Sequence, residues 1–164
     1  MNIVDKIKKY VEKECIIHKN KSKDGYDFWN EHIKYVYEKV VFLAEKYNAD
    51  VEIVSLGALM HDIALIKKVG KRSDHHINGA KIAEEILNKY NYPQEKIKRV
   101  KNCVLHHRTS FDAENKEEVC VSDADILSHF DNIPMIFDYA YKNYDVNLSN
   151  IRSFIKRYFE NDYN

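Results

Sequence analysis

The sequence has 164 residues, 45% hydrophobic and 32% charged, and its 26 basic side chains are balanced by 26 acidic ones. That balance belongs to a globular chain with a core of its own; it excludes a disordered tail and makes a broad nucleic-acid interface unexpected. No apolar run reaches the roughly 18 residues of a membrane span, and the N-terminus lacks the continuous apolar segment of a secretory signal, so we expect a cytoplasmic protein of one domain over residues 1–164.

Four glycines, two prolines and apolar residues at helical spacing nearly throughout predict an all-α bundle of about seven or eight helices. The first helix is expected over Ile3–Cys15, with Ile3, Ile7, Tyr10 and Val11 as its buried stripe. A loop over 20–26, turning at Asp24-Gly25, leads to a second helix, Phe28–Tyr47, in which His32 takes an inward, otherwise apolar position. Asp50 caps a third helix, Val51–Ile66, whose nearly unbroken apolar character marks it as central. Inside it, the stretch LGALMHDIALIKK sets His61 beside Asp62, and burying either without a partner costs about 1–3 kcal/mol.

The basic segment KKVGKRSD (67–74) ends that helix. A fourth helix follows from His75 to Tyr90, then a fifth to His107 with Pro93 in its first turn, then a polar loop over 108–115. A sixth helix is expected over Lys116–Phe130, a seventh from Pro134, and a last one capped by Ser149 and running through Phe159. Cys15, Cys103 and Cys120 form no CxxC pair and are expected as small core residues.

His32, His61, Asp62 and Asp125 lie on three separate helices, each in apolar surroundings. Adjacent helical residues point about 100° apart, so His61 and Asp62 do not fully share a face, yet both reach an ion lodged between their helix and two neighbours. Two imidazoles and two carboxylates, without a thiolate, suit a divalent ion (Mn, Fe, Co, Ni, Zn or Mg) and leave positions for water and phosphate oxygens.

The order His32, His61-Asp62, Asp125 resembles the H…HD…D signature of the HD-domain superfamily of metal-dependent phosphohydrolases. DHHINGA (74–80) is similar to that family's HxxxGA element, with His75 four residues before Gly79; VLHHR (104–108) resembles its next histidine element. VSDADIL (121–127) is similar to its closing AD-x-L element, which selects Asp125 over Asp123. The likeness covers about residues 28–130 and implies that His32, His61, Asp62 and Asp125 bind one metal ion. In binuclear branches the HD aspartate bridges to a second ion, whose further ligands would be His75 and His106 or His107. Those branches often carry Gly-Lys after HD, where this chain has Ile63-Ala64-Leu65, a departure that weakens assignment to them.

The expected activity is hydrolysis of a phosphoester by a metal-activated water, on a nucleotide or other small phosphorylated metabolite. Asp62 or a histidine is expected to help deprotonate the water. His75, His107 and Arg108, with Lys67, Lys68, Lys71 or Arg72, are expected to hold phosphate and protonate the leaving oxygen. His76 is expected to face solvent, and His129 to lie at the surface or behind a ligand. The competing reading is a metal-bound domain without turnover that senses a nucleotide or docks a partner; a homodimer is compatible with either.

Overall fold

In a computed structural model, which describes residues 1–23, 25–108 and 110–163 and not the side chains of 110, 143 and 158–163, the helical spacing resolves into nine α-helical segments. No strand occurs among the described residues. Asp24, half of the expected turn, lies outside them; Gly25 has the left-handed φ of 61° that a turn asks of glycine.

Helix α1 (Ile3–Lys21) starts at Asn2, whose side chain accepts from the Asp5 N–H, and continues past its expected end at Cys15. The extension has a physical cause in His18, which is buried against Phe28 and donates from Nδ1 to the Ile66 carbonyl at 2.8 Å. The charge of the 18–23 segment masked this one inward residue.

Helix α2 (Lys34–Tyr47) follows a π turn over Trp29–Ile33 and ends at Asn48, in the left-handed conformation of a helix stop. Asp50 caps α3 (Val51–Met60) by accepting from the Glu52 and Ile53 N–H groups. The expected third helix is interrupted at His61-Asp62 and resumes as the short α4 (Ile63–Ile66). A tight turn over Arg72–Asp74 leads into α5 (His75–Lys89). Pro93 stands just outside α6 (Gln94–His106) rather than in its first turn, its ψ of 132° being extended. Asn115 caps α7 (Lys116–Asp131), and α8 (Ile133–Asn143) and α9 (Ile151–Tyr163) complete the chain.

Helix α3 is central, buried from Ile53 through Met60 and packed against α1, α2, α6 and α7. Gly57 permits the close approach of α6 and α7. A Cβ there would stand 2.8 Å from Cys103 Cβ on α6 and 3.2 Å from Val121 Cγ2 on α7. Cys15, Cys103 and Cys120 are buried free thiols. No helix among the described residues is long and apolar enough to cross a membrane.

Candidate metal centre

Two local departures from the α-helix aim the side chains. The π turn carries His32, with the Lys34 N–H reaching back to the Trp29 carbonyl; such wide turns re-aim a residue and recur at functional sites. Asn132 secures the turn, donating from Nδ2 to the Glu31 carbonyl (2.7 Å) and carboxylate (2.8 Å). At the break after α3, Asp62 takes φ −100° and ψ 14°, off the helix, and this swings its carboxylate toward the side that His61 faces. The divergence expected of adjacent helical residues is removed by breaking the helix between them and α4.

The donors gather tightly. His32 Nε2 lies 3.0 Å from His61 Nε2, 3.1 Å from Asp125 Oδ1 and 3.6 Å from Asp62 Oδ2. His61 Nε2 lies 3.6 Å from Asp62 Oδ2 and 3.7 Å from Asp125 Oδ1. The other Asp62 oxygen faces a second set: His75 Nε2 is 3.4 Å and His107 Nε2 4.0 Å from Oδ1, with 3.0 Å between the two nitrogens. His75 arrives because α5 lies against the break. At Gly79, one turn on, a Cβ would meet the His61 carbonyl at 3.3 Å and Val104 Cγ1 at 3.2 Å.

Hydrogen bonding decides which ring atom faces inward. Nδ1 of His61, His75 and His107 lies 2.7, 2.7 and 2.6 Å from the carbonyls of Ala58, Arg72 and Val104. A carbonyl oxygen only accepts, so each Nδ1 carries the proton and each Nε2 presents a lone pair to the centre. Burial pushes the His107 imidazole down to about 4, reinforced by His61, and lowers that of His75 against the pull of Asp62. Both rings are therefore neutral at pH 7. Burial raises the Asp62 and Asp125 carboxyls, and only positive charge on the surrounding rings, His61 foremost, pulls both below the usual carboxylate range; with the rings neutral, a bound cation would supply that charge in their place.

The residues fit a cation. Donors about 2.1 Å from an ion stand about 3.0 Å apart at right angles and about 3.4 Å apart in a tetrahedron; the separations here begin at 3.0 Å and reach 3.7 Å around His32 and His61 and 4.0 Å between His107 and Asp62. The Nε2 lone pairs of His61, His75 and His107 converge without protons between them, and the shielded Asp125 Oδ1 makes no well-aligned hydrogen bond although His32 Nε2 stands 3.1 Å away. His32-His61-Asp62 and Asp62-His75-His107 are each a compact donor triad. His61 and His107 form an inner wall with side-chain exposures of 0% and 1%, whereas Asp62, His75 and Asp125 keep 11%, 12% and 16%, so solvent reaches the centre from the carboxylate side.

The model of the HD domain family matches residues 30–129, which hold all of these donors. The chain belongs to the HD domain family. A crystal structure of a predicted HD superfamily hydrolase from an uncultured Thermotogales bacterium superposes with a TM-score of 0.66 over 95% of this chain and 91% of that one, at 20% identity, a likeness of fold. An "Uncharacterized protein" of Clostridium beijerinckii is 31% identical over 70 residues, and the match spans 43% of this chain and 45% of that protein's length.

Around the HD motif, other expected residues fall differently. His106 places its Nδ1 2.7 Å from Oε2 of Glu118 and is in none of the donor groups; of the adjacent pair, His107 faces Asp62. Because His75 and His107 face inward with lone pairs, they accept rather than donate there, and the expected role of protonating a leaving oxygen does not suit them. Arg108 is exposed at the rim and donates from Nη1 to the Ser73 carbonyl at 3.2 Å. Lys67 is turned to Glu14 and Tyr10 on α1, and Lys68 to Ser22, so neither points at the centre. Asp123, half-buried and pushed up by burial, is in none of the donor groups. His76 is half-buried, with Nδ1 shielded and without a hydrogen-bond partner. Tyr26, in the loop before the π turn, was passed over in the sequence; burial and the Asp62 charge push its phenol up. Only the neighbouring Gly25 hinted that this loop is held in a fixed shape.

Proposed function

We propose that this HD domain is a metal-dependent phosphohydrolase acting on a nucleotide or other small phosphorylated metabolite. The observation that carries the reading is the division of Asp62: one oxygen faces His32 and His61, the other faces His75 and His107. Two donor sets sharing a carboxylate suit a pair of divalent ions, one set completed by Asp125. Bound there, the ions would polarise phosphoryl oxygens and make a water nucleophilic near neutral pH. The chain supplies the rest. Asp62 and Asp125 are the acceptors beside an attacking water, and the carboxylate-side opening admits it. Arg108, whose fork has donors beyond its bond to Ser73, would donate to a phosphate oxygen at the rim.

The test is metal analysis of protein purified without chelator, followed by a phosphate-release screen of nucleotides and phosphomonoesters with Mn²⁺ or Co²⁺. We expect bound divalent metal, turnover of at least one nucleotide, and loss of both in Asp62→Ala. Absence of metal overturns the site; metal without turnover of any compound overturns the enzyme and favours a nucleotide-sensing domain.

A further inference from the structure

His129 follows Asp125 by one helical turn on α7, and the site described above does not use it. Its ring stacks on that of His32, with centroids 5.5 Å apart and planes 16° from parallel. Ligand atoms of His32, Asp125 and His129 all lie within 4.8 Å of one another, a third donor triad that shares two members with the metal centre. Between them in sequence, Ser128 Oγ donates to the Asp125 carbonyl at 2.6 Å and stands 3.4 Å from His32 Nδ1. One turn of α7 thus presents Asp125, Ser128 and His129 to a single imidazole on the π turn.

We propose that His129 is a fifth donor residue of the metal centre, serving the ion held by His32, His61, Asp62 and Asp125. The proposal rests on reading that cluster as a metal site. Stacking alone would need only a ring here; the nearness of a nitrogen to Asp125 is what a donor adds. A set of three imidazoles and two carboxylates leaves fewer open positions than the four-residue set, and its nitrogen content favours Co, Ni, Fe or Zn over Mg.

The variant His129→Phe keeps a ring beside His32 and removes the nitrogens; His129→Gln keeps a polar donor and serves if the phenylalanine variant does not fold. Chelator-treated full-length proteins are titrated with Co²⁺ by calorimetry and visible absorption, with metal-free thermal melts as the control for folding. We expect metal-free melts like the wild type, Co²⁺ affinity weaker on the order of tenfold or more in His129→Phe, and altered Co²⁺ bands. A folded His129→Phe, or in its place a folded His129→Gln, with wild-type Co²⁺ affinity and wild-type bands overturns this inference alone. Failure of the wild-type protein to take up Co²⁺ overturns the metal reading and the inference together.

Discussion

The imidazoles of His61, His75 and His107 share one device: each ring is tethered through Nδ1 to the carbonyl three residues before it, so the helix backbone sets the tautomer. That device was hidden in the sequence, where residue types and their order could be read but the working nitrogen could not. His106 and His107 were equally plausible on the page, and only the 2.7 Å bond from His106 to Glu118 separates them. His129 was expected at the surface or behind a ligand, because a histidine near a helix end reads that way. The tethers have a consequence with pH. His107 is held near 4 in the fold, against an ordinary value of 6.5, so between those values the unfolded chain binds a proton that the folded chain refuses. Stability therefore rises with pH across that window and is lost on acidification through it. Urea denaturation of metal-free protein should show up to about 3 kcal/mol lost to this residue between pH 7 and pH 4, with a flatter dependence in His107→Gln.

Among elements, the helices were legible wherever spacing ruled, and α5, α6 and α7 lie close to their expected spans. The misreadings fall where local structure yields to the site. Nothing in the apolar run around His61 and Asp62, free of glycine and proline nearby on the C-terminal side, marks the break that separates α3 from α4. Nor does periodicity distinguish the π turn at His32 from the helix that follows it. Both departures give up regular hydrogen bonding to aim a donor, as functional sites commonly do. Gly57 was legible as a residue but not as a contact, since the approach of α6 and α7 depends on how distant segments meet. Gly57→Val should cost about 1–3 kcal/mol by overpacking against Cys103 and Val121, measured as a lowered denaturation midpoint, with helicity by circular dichroism retained.

Across the whole molecule, the donors come from segments far apart in sequence, from His32 to Asp125, and meet only when α2, α3, α5, α6 and α7 are packed together. An ion that binds this assembled form and not the unfolded chain stabilises the fold by mass action. At Mn²⁺ near 100 times its dissociation constant we expect about 2.7 kcal/mol, a rise in Tm of about 5–10 °C that chelator reverses and that Asp62→Ala abolishes. Scanning calorimetry with and without Mn²⁺ checks it. The divided carboxylate of Asp62 also sets a sum of charges. Asp62 and Asp125 contribute two negative charges, and the neutral imidazoles none. One divalent ion leaves the centre electrically neutral and indifferent to the charge of an arriving anion. Two leave a surplus of two positive charges, matched by a doubly ionised terminal phosphate better than by a singly charged diester, so the number of ions bound would itself select the kind of phosphate admitted.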